Sequence, residues 1–183
     1  MNVVHTLNVV SISKKGRVMQ TAYADDFTID HPIDLFESIA VHREWPCERG
    51  TEDDLNLCIS GTHCDYHLAI SWRPDLGGLH VACVFDMRVP LNKRQDVHEL
   101  LALINEQLWM GHFDIWSSDG AILFRTTLLV SNGVLSERQC DELIEHGVDT
   151  CERFFPAFQY LIWAGHTPRD ALQGCMFETR GDA

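Results

Sequence analysis

From Leu79 to Ile162 the apolar positions alternate, then recur at helical spacing, then alternate again, and finally return to helical spacing. Leu79, Val81, Cys83, Phe85 and Met87 fall on one face of a strand. Val97, Leu100, Leu101, Ile104 and Leu108 form one stripe of a helix reaching Met110, with Asn92 and Gln95 placed as a cap box and Gly111 as its left-handed terminator. Leu103 and Trp109 project from that helix on opposite sides, clear of the stripe. Phe113 and Ile115, then Ile122, Phe124, Thr126 and Leu128, predict two strands joined at Ser118-Asp119-Gly120. Ser136 and Gln139 offer a second cap box. Behind it Cys140, Leu143, Ile144, Val148, Cys151, Phe154, Phe155, Phe158, Leu161 and Ile162 line one side of a long helix. Gly147 on that stripe permits close backbone approach, and Pro156 is expected to bend the helix.

Upstream, Asp30 and Pro32 read as the start of a helix carrying Ile33, Phe36, Ile39 and Ala40 through Trp45, which Pro46 stops. Residues 48–54 read as a polar connection. Leu55, Leu57 and Ile59 alternate, as do Tyr66, Leu68, Ile70 and Trp72, with turn residues at Gly61 to Cys64 and at Pro74 to Gly78. These runs and the Leu79 strand make an antiparallel meander. The pattern as a whole predicts an α+β fold, a five-stranded, mainly antiparallel sheet packed with helices in the order α-β-β-β-α-β-β-α. Residues 30–167 are assigned to this domain, 1–29 to a poorly ordered extension, and 168–183 to a tail with a short helix near Arg169 to Gly174.

Composition adds limits. The chain has 183 residues, 45% of them hydrophobic and 22% charged, which suits one globular domain. Fourteen Lys and Arg against 27 Asp and Glu give a formal charge of −13, which repels a phosphate backbone and argues against nucleic acid as a partner. Seven cysteines without a CxxC pair, an odd number, fit reduced thiols in a cytoplasmic protein better than a disulfide framework. No run is long and apolar enough to span a bilayer, and the first twenty residues place their charges after the apolar stretch, the reverse of a secretory signal. No membrane association is expected.

Three segments carry a family resemblance: CDYHLAISWRPDLGGLHVACVFDMRVP (Cys64 to Pro90), LINEQLWMGHFDIWSSDGAILFRTTLLV (Leu103 to Val130) and CERFFPAFQYLIWAG (Cys151 to Gly165). Together they resemble the YbjN-domain family of bacterial sensory transduction regulators, over about Asp30 to Gly165. The resemblance implies a fold similar to type III secretion chaperones, a non-enzymatic regulatory role, and a homodimer by analogy with those chaperones. It supplies no ligand and no active-site positions, and a shared fold does not transfer a substrate.

Chemistry is sparse along the chain. His63, Cys64, Asp65 and His67 make the strongest local case for a small metal- or thiol-dependent enzyme or sensor, because His63, Asp65 and His67 share a face if the strand starts early enough. Solvated turn residues are the plainer account. No phosphate-cradling loop follows Gly77-Gly78. Asn105 lies beside the apolar stripe of its helix, placed to bond a strand edge or to face water. Trp72 is in phase with the core. Leu103, Trp109, Trp116, Tyr160 and Trp163 fall off the simplest core faces and are the candidates for contact with a protein partner or a second subunit. No cofactor and no catalytic residue is assigned.

Overall fold

The computed structural model describes residues 31–130 and 135–178; the extension 1–29 and the Asp30 cap lie outside the described residues. In chain order the elements are α1 (Pro32–His42), β1 (Cys47–Thr51), β2 (Asp54–Ser60), β3 (Asp65–Arg73), β4 (Gly78–Arg88), α2 (Arg94–Asn105), β5 (His112–Ile115), β6 (Ala121–Leu129), α3 (Glu137–Ile162) and α4 (Pro168–Glu178). One antiparallel sheet runs in the order β1-β2-β3-β4-β6-β5. The α+β architecture and the meander are as the alternation predicts. The strand count is six, not five.

The additional strand, β1, falls in the stretch read as a polar connection. Its Cys47, Glu48 and Arg49 pair with Leu57, Asn56 and Leu55, yet none of its side chains is buried. An edge strand wet on both faces needs only backbone pairing, so it carries no hydrophobic period. Arg49 ties it to α1 by donating to Asp34 at 2.6 Å and Glu37 at 2.7 Å.

Register places the core. Leu57, Leu68, Cys83, Phe124 and Phe113 align across β2, β3, β4, β6 and β5 on one face, and each is buried. α3 lies over that row. Phe113 packs on Phe124, Phe154 and Phe158 with ring centroids 5.3 to 5.8 Å apart, and Phe85 packs on Phe155 and Phe158 at 5.3 and 5.7 Å. Each such ring contributes roughly 1.5–3 kcal/mol of burial. At Gly147 an added Cβ would sit 3.8 Å from Cys83 Cβ, so helix and sheet touch at van der Waals distance there.

Helix boundaries depart from the sequence reading in physically legible ways. α1 ends at His42, and its cap is His31, whose Nδ1 accepts from the Ile33 amide at 3.3 Å. The Asn92–Gln95 box does not form, because a tight turn over Leu91–Lys93 precedes α2, closed by the Lys93 amide on the Pro90 carbonyl at 2.9 Å. The Ser136–Gln139 box does form, and α3 continues through Pro156, which leaves the Glu152 carbonyl without its usual donor. The C-terminal segment is a full helix, α4, whose Ala171, Leu172 and Cys175 join the core.

α2 ends at Asn105, well before Met110. Asn105 seals the outer edge of the sheet: its side-chain oxygen accepts from the Phe113 amide at 2.8 Å and its side-chain nitrogen donates to the Phe113 carbonyl at 3.1 Å. Asn105→Ala is expected to lower stability by about 1–3 kcal/mol, because it leaves two backbone groups of an otherwise buried residue unpaired. A urea midpoint equal to that of the parent chain would contradict this role.

Candidate functional site

The connection from α2 to β5 is held at both ends and pushed outward in the middle. The Gln107 amide bonds the Ile104 carbonyl at 2.9 Å, the Leu108 amide bonds the Asn105 carbonyl at 3.2 Å, and the Leu108 side chain packs on the core. Gly111 has φ +70°, and a Cβ there would run into the Phe124 ring and the Arg125 carbonyl. Only glycine fits. Trp109 and Met110, between these pins, are 101% and 59% exposed.

An open cleft of about 270 Å³ lies beside them, between this loop and α3, and is lined on the helix side by His146, Asp149, Thr150, Arg153 and Phe154. The Arg153 guanidinium lies 5.0 Å from the Phe154 ring centroid and touches the Met176 sulfur at 3.7 Å. Arg43, Arg49, Arg73, Arg88, Lys93, Arg125 and Arg138 each hold a carboxylate. Among the described residues no carboxylate pairs with Arg153, and no cation pairs with Asp149 one helical turn away. Within the cleft His146 Nε2 is shielded from solvent and makes no hydrogen bond.

The other contact candidates divide. Leu103 is half-buried against the core. Tyr160 stacks on His166 at 5.5 Å and lies against Gly174 of α4, so it packs within the domain. Trp116, 44% exposed, closes the β5–β6 hairpin through its amide on the Ala121 carbonyl at 2.9 Å; Trp163, 66% exposed, caps α3. Helical spacing places Trp109 on a helix face, but α2 has already ended and the residue stands on the loop.

The residues His63 to His67 do not converge. β3 begins at Asp65, so His63 remains in the preceding turn, its ring stacked on Phe155 at 5.1 Å and its Nε2 3.6 Å from Glu152. Glu152 also accepts the Thr62 amide at 2.5 Å, pinning the turn to α3. Asp65 and His67 are exposed on the opposite face of the sheet, Asp65 accepting from Ser60 Oγ at 2.8 Å. Among the described residues no group of three or more His, Cys, Asp or Glu is placed to hold a metal ion. Cys64 turns inward beside Tyr66, and burial, reinforced by the Glu152 charge, pushes its thiol above the ordinary range. Burial likewise drives the Tyr66 hydroxyl far up.

Comparison with known proteins follows the same lines as the fold. A family model, YbjN, described as "Putative bacterial sensory transduction regulator", matches residues 32–160. The chain belongs to the YbjN family. Among solved structures it is similar to the crystal structure of YbjN from E. coli, "a putative transcription regulator", at 9% identity and a TM-score of 0.47, over 64% of this chain and 84% of that one. No curated protein matches it.

This YbjN domain carries cleft residues that the hydrophobic pattern passed over: Met110, His146, Asp149, Thr150 and Arg153. Asp149 and Arg153 stand four apart on α3, which sequence reads as an ordinary helix-surface pair. Nothing in the pattern shows that a loop from elsewhere lies alongside them. No described helix is long and apolar enough to cross a membrane.

Only the thiolate form of a cysteine is an effective nucleophile. Iodoacetamide labelling of the folded YbjN domain, mapped by mass spectrometry, is therefore expected to modify exposed Cys47 well before Cys64 at neutral pH. Cys64 should react readily only above the ordinary thiol range. Rapid labelling of Cys64 at neutral pH would reinstate it as a reactive group.

Proposed function

We propose that this protein is a non-enzymatic, chaperone-like regulator that acts by binding a protein partner through the α2–β5 loop and the facing turns of α3. The observation that carries the reading is Trp109: a fully exposed indole on a connection whose two ends are locked by Asn105 and Gly111. A loop fixed on both sides of its aromatic anchor loses little backbone freedom on contact, which lets a single residue carry much of an interface. The dispersal of His63, Cys64, Asp65 and His67 supports the same reading from the other side, since a metal or thiol mechanism needs them together.

Seven cysteines, four of them buried, fit a reducing cytoplasm. The −13 charge fits a soluble regulator that does not use nucleic acid as its partner. The membership in a family of regulators fits both.

Affinity capture from cell extract with the full chain as bait, compared between parent, Trp109→Ala and Trp163→Ala, tests the proposal. Trp109→Ala should reduce specific capture by about tenfold or more while leaving the thermal midpoint unchanged, because the ring supports nothing inside the domain. Trp163→Ala should change little. Equal capture by parent and Trp109→Ala would remove the loop from the interface.

A further inference from the structure

The two edges of the sheet are finished differently. At β5, Asn105 takes both backbone groups of Phe113 and closes that edge. At β1 no described residue plays that part. The antiparallel ladder alternates along this strand: the Cys58 amide donates to the Pro46 carbonyl at 2.9 Å, and Glu48 stands opposite Asn56, so residues 46 and 48 turn their backbone groups to β2. Cys47 and Arg49 therefore each turn an N–H and a C=O away from the sheet. These groups stand in ladder geometry with no partner among the described residues. The register shift between Arg49 and Thr51 ends the usable edge on that side.

Charge dictates what fits against it. Residues 34–54 carry seven carboxylates and two arginines. Both arginines are engaged: Arg43 holds Asp141 at 2.6 Å, and Arg49 holds Asp34 and Glu37 as well as the Thr51 and Glu52 carbonyls. Glu44 before the strand, Glu48 within it and Glu52 after it pair with no cation among the described residues, which spaces acidic groups along its whole length. Such an edge repels a strand of like charge and draws in a basic one. We propose that the free edge of β1 accepts an extended, lysine- or arginine-bearing segment of a partner protein as a further strand of the sheet. Main-chain bonds to Cys47 and Arg49 set its register, and the carboxylates select the sign of its side chains. The site lies at the opposite end of the sheet from β5 and does not rest on the reading of Trp109.

Hydrogen exchange of the full chain, followed amide by amide by NMR, tests this with a short peptide alternating lysine and valine and its glutamate–valine counterpart as control. In the free chain the Cys47 and Arg49 amides should exchange readily, and the lysine peptide should slow both about tenfold or more while the glutamate peptide slows neither. Its affinity should fall on raising salt from about 0.05 to 0.5 M. Glu48→Lys combined with Glu52→Lys should weaken it about tenfold. Cys47→Pro removes an outward N–H without removing a bond to β2 and should weaken it about fivefold. Matching thermal midpoints establish that the variants are folded, and the charge variant decides the outcome where proline disturbs the strand. Trp109→Ala should bind the peptide as the parent does. Failure of the lysine peptide to bind, equal binding of both peptides, or binding that leaves the two amides unprotected overturns the proposal. So does protection of those amides already present in the free chain or growing with its concentration, because the edge is then covered by the chain itself or by a second copy.

Discussion

Contact between the aromatic face of α3 and the row Leu57, Leu68, Cys83, Phe124 and Phe113 is the constraint from which the rest of this structure follows. That row belongs to one face of the six-stranded antiparallel sheet, and the 26-residue α3 lies across it. Because Gly147 lets the helix settle against Cys83 at van der Waals distance, the rings of Phe154, Phe155 and Phe158 reach between strands. The other pieces are fitted to that arrangement: α1 at the β2 side, α4 against the C-terminal half of α3, and α2 beside the sheet's last edge.

The same packing decides which polar residues are available for chemistry. The β2–β3 turn is drawn onto α3 by Glu152, which takes its backbone amides and faces the His63 ring. That separates His63 from Asp65 and His67, and it leaves Cys64 half-buried next to Tyr66, where desolvation opposes ionisation. A sequence cluster that looks reactive is thereby used to anchor a turn. At the far side of the sheet the opposite happens. With the β5 edge closed by Asn105, Leu108 turned onto the core and Gly111 against Phe124, Trp109 and Met110 emerge beside Asp149 and Arg153.

These two outcomes are the observations on which the proposed role in association rests. Charge is consistent with this. Seven of the described Arg and Lys side chains are occupied by neighbouring carboxylates, and Arg153, beside the exposed indole, is not among them. The chain belongs to the YbjN family, described as "Putative bacterial sensory transduction regulator".

Much of the fold was legible because burial imposes a period. Leu55 to Ile59, Tyr66 to Trp72, Leu79 to Met87 and the long α3 stripe each announce themselves, and Ser136 with Gln139 marks the helix start by local bonding alone. Local reasoning failed where the deciding partner is distant. β1 exists through pairing with β2, α2 stops where Asn105 finds Phe113, and α4 is held by the core although residues 168–178 carry only a faint pattern of their own. The candidate site was half visible: Trp109 stood out as an aromatic off the core stripes, whereas its neighbours on α3 did not. The sequence by itself determined which faces must be buried and hence the class of fold, because hydrophobic periodicity is a property of neighbouring residues. Only the tertiary structure decided that Trp109 faces Arg153 and that His63 leaves Asp65 and His67, because both depend on which distant surfaces the sheet brings within a few ångströms.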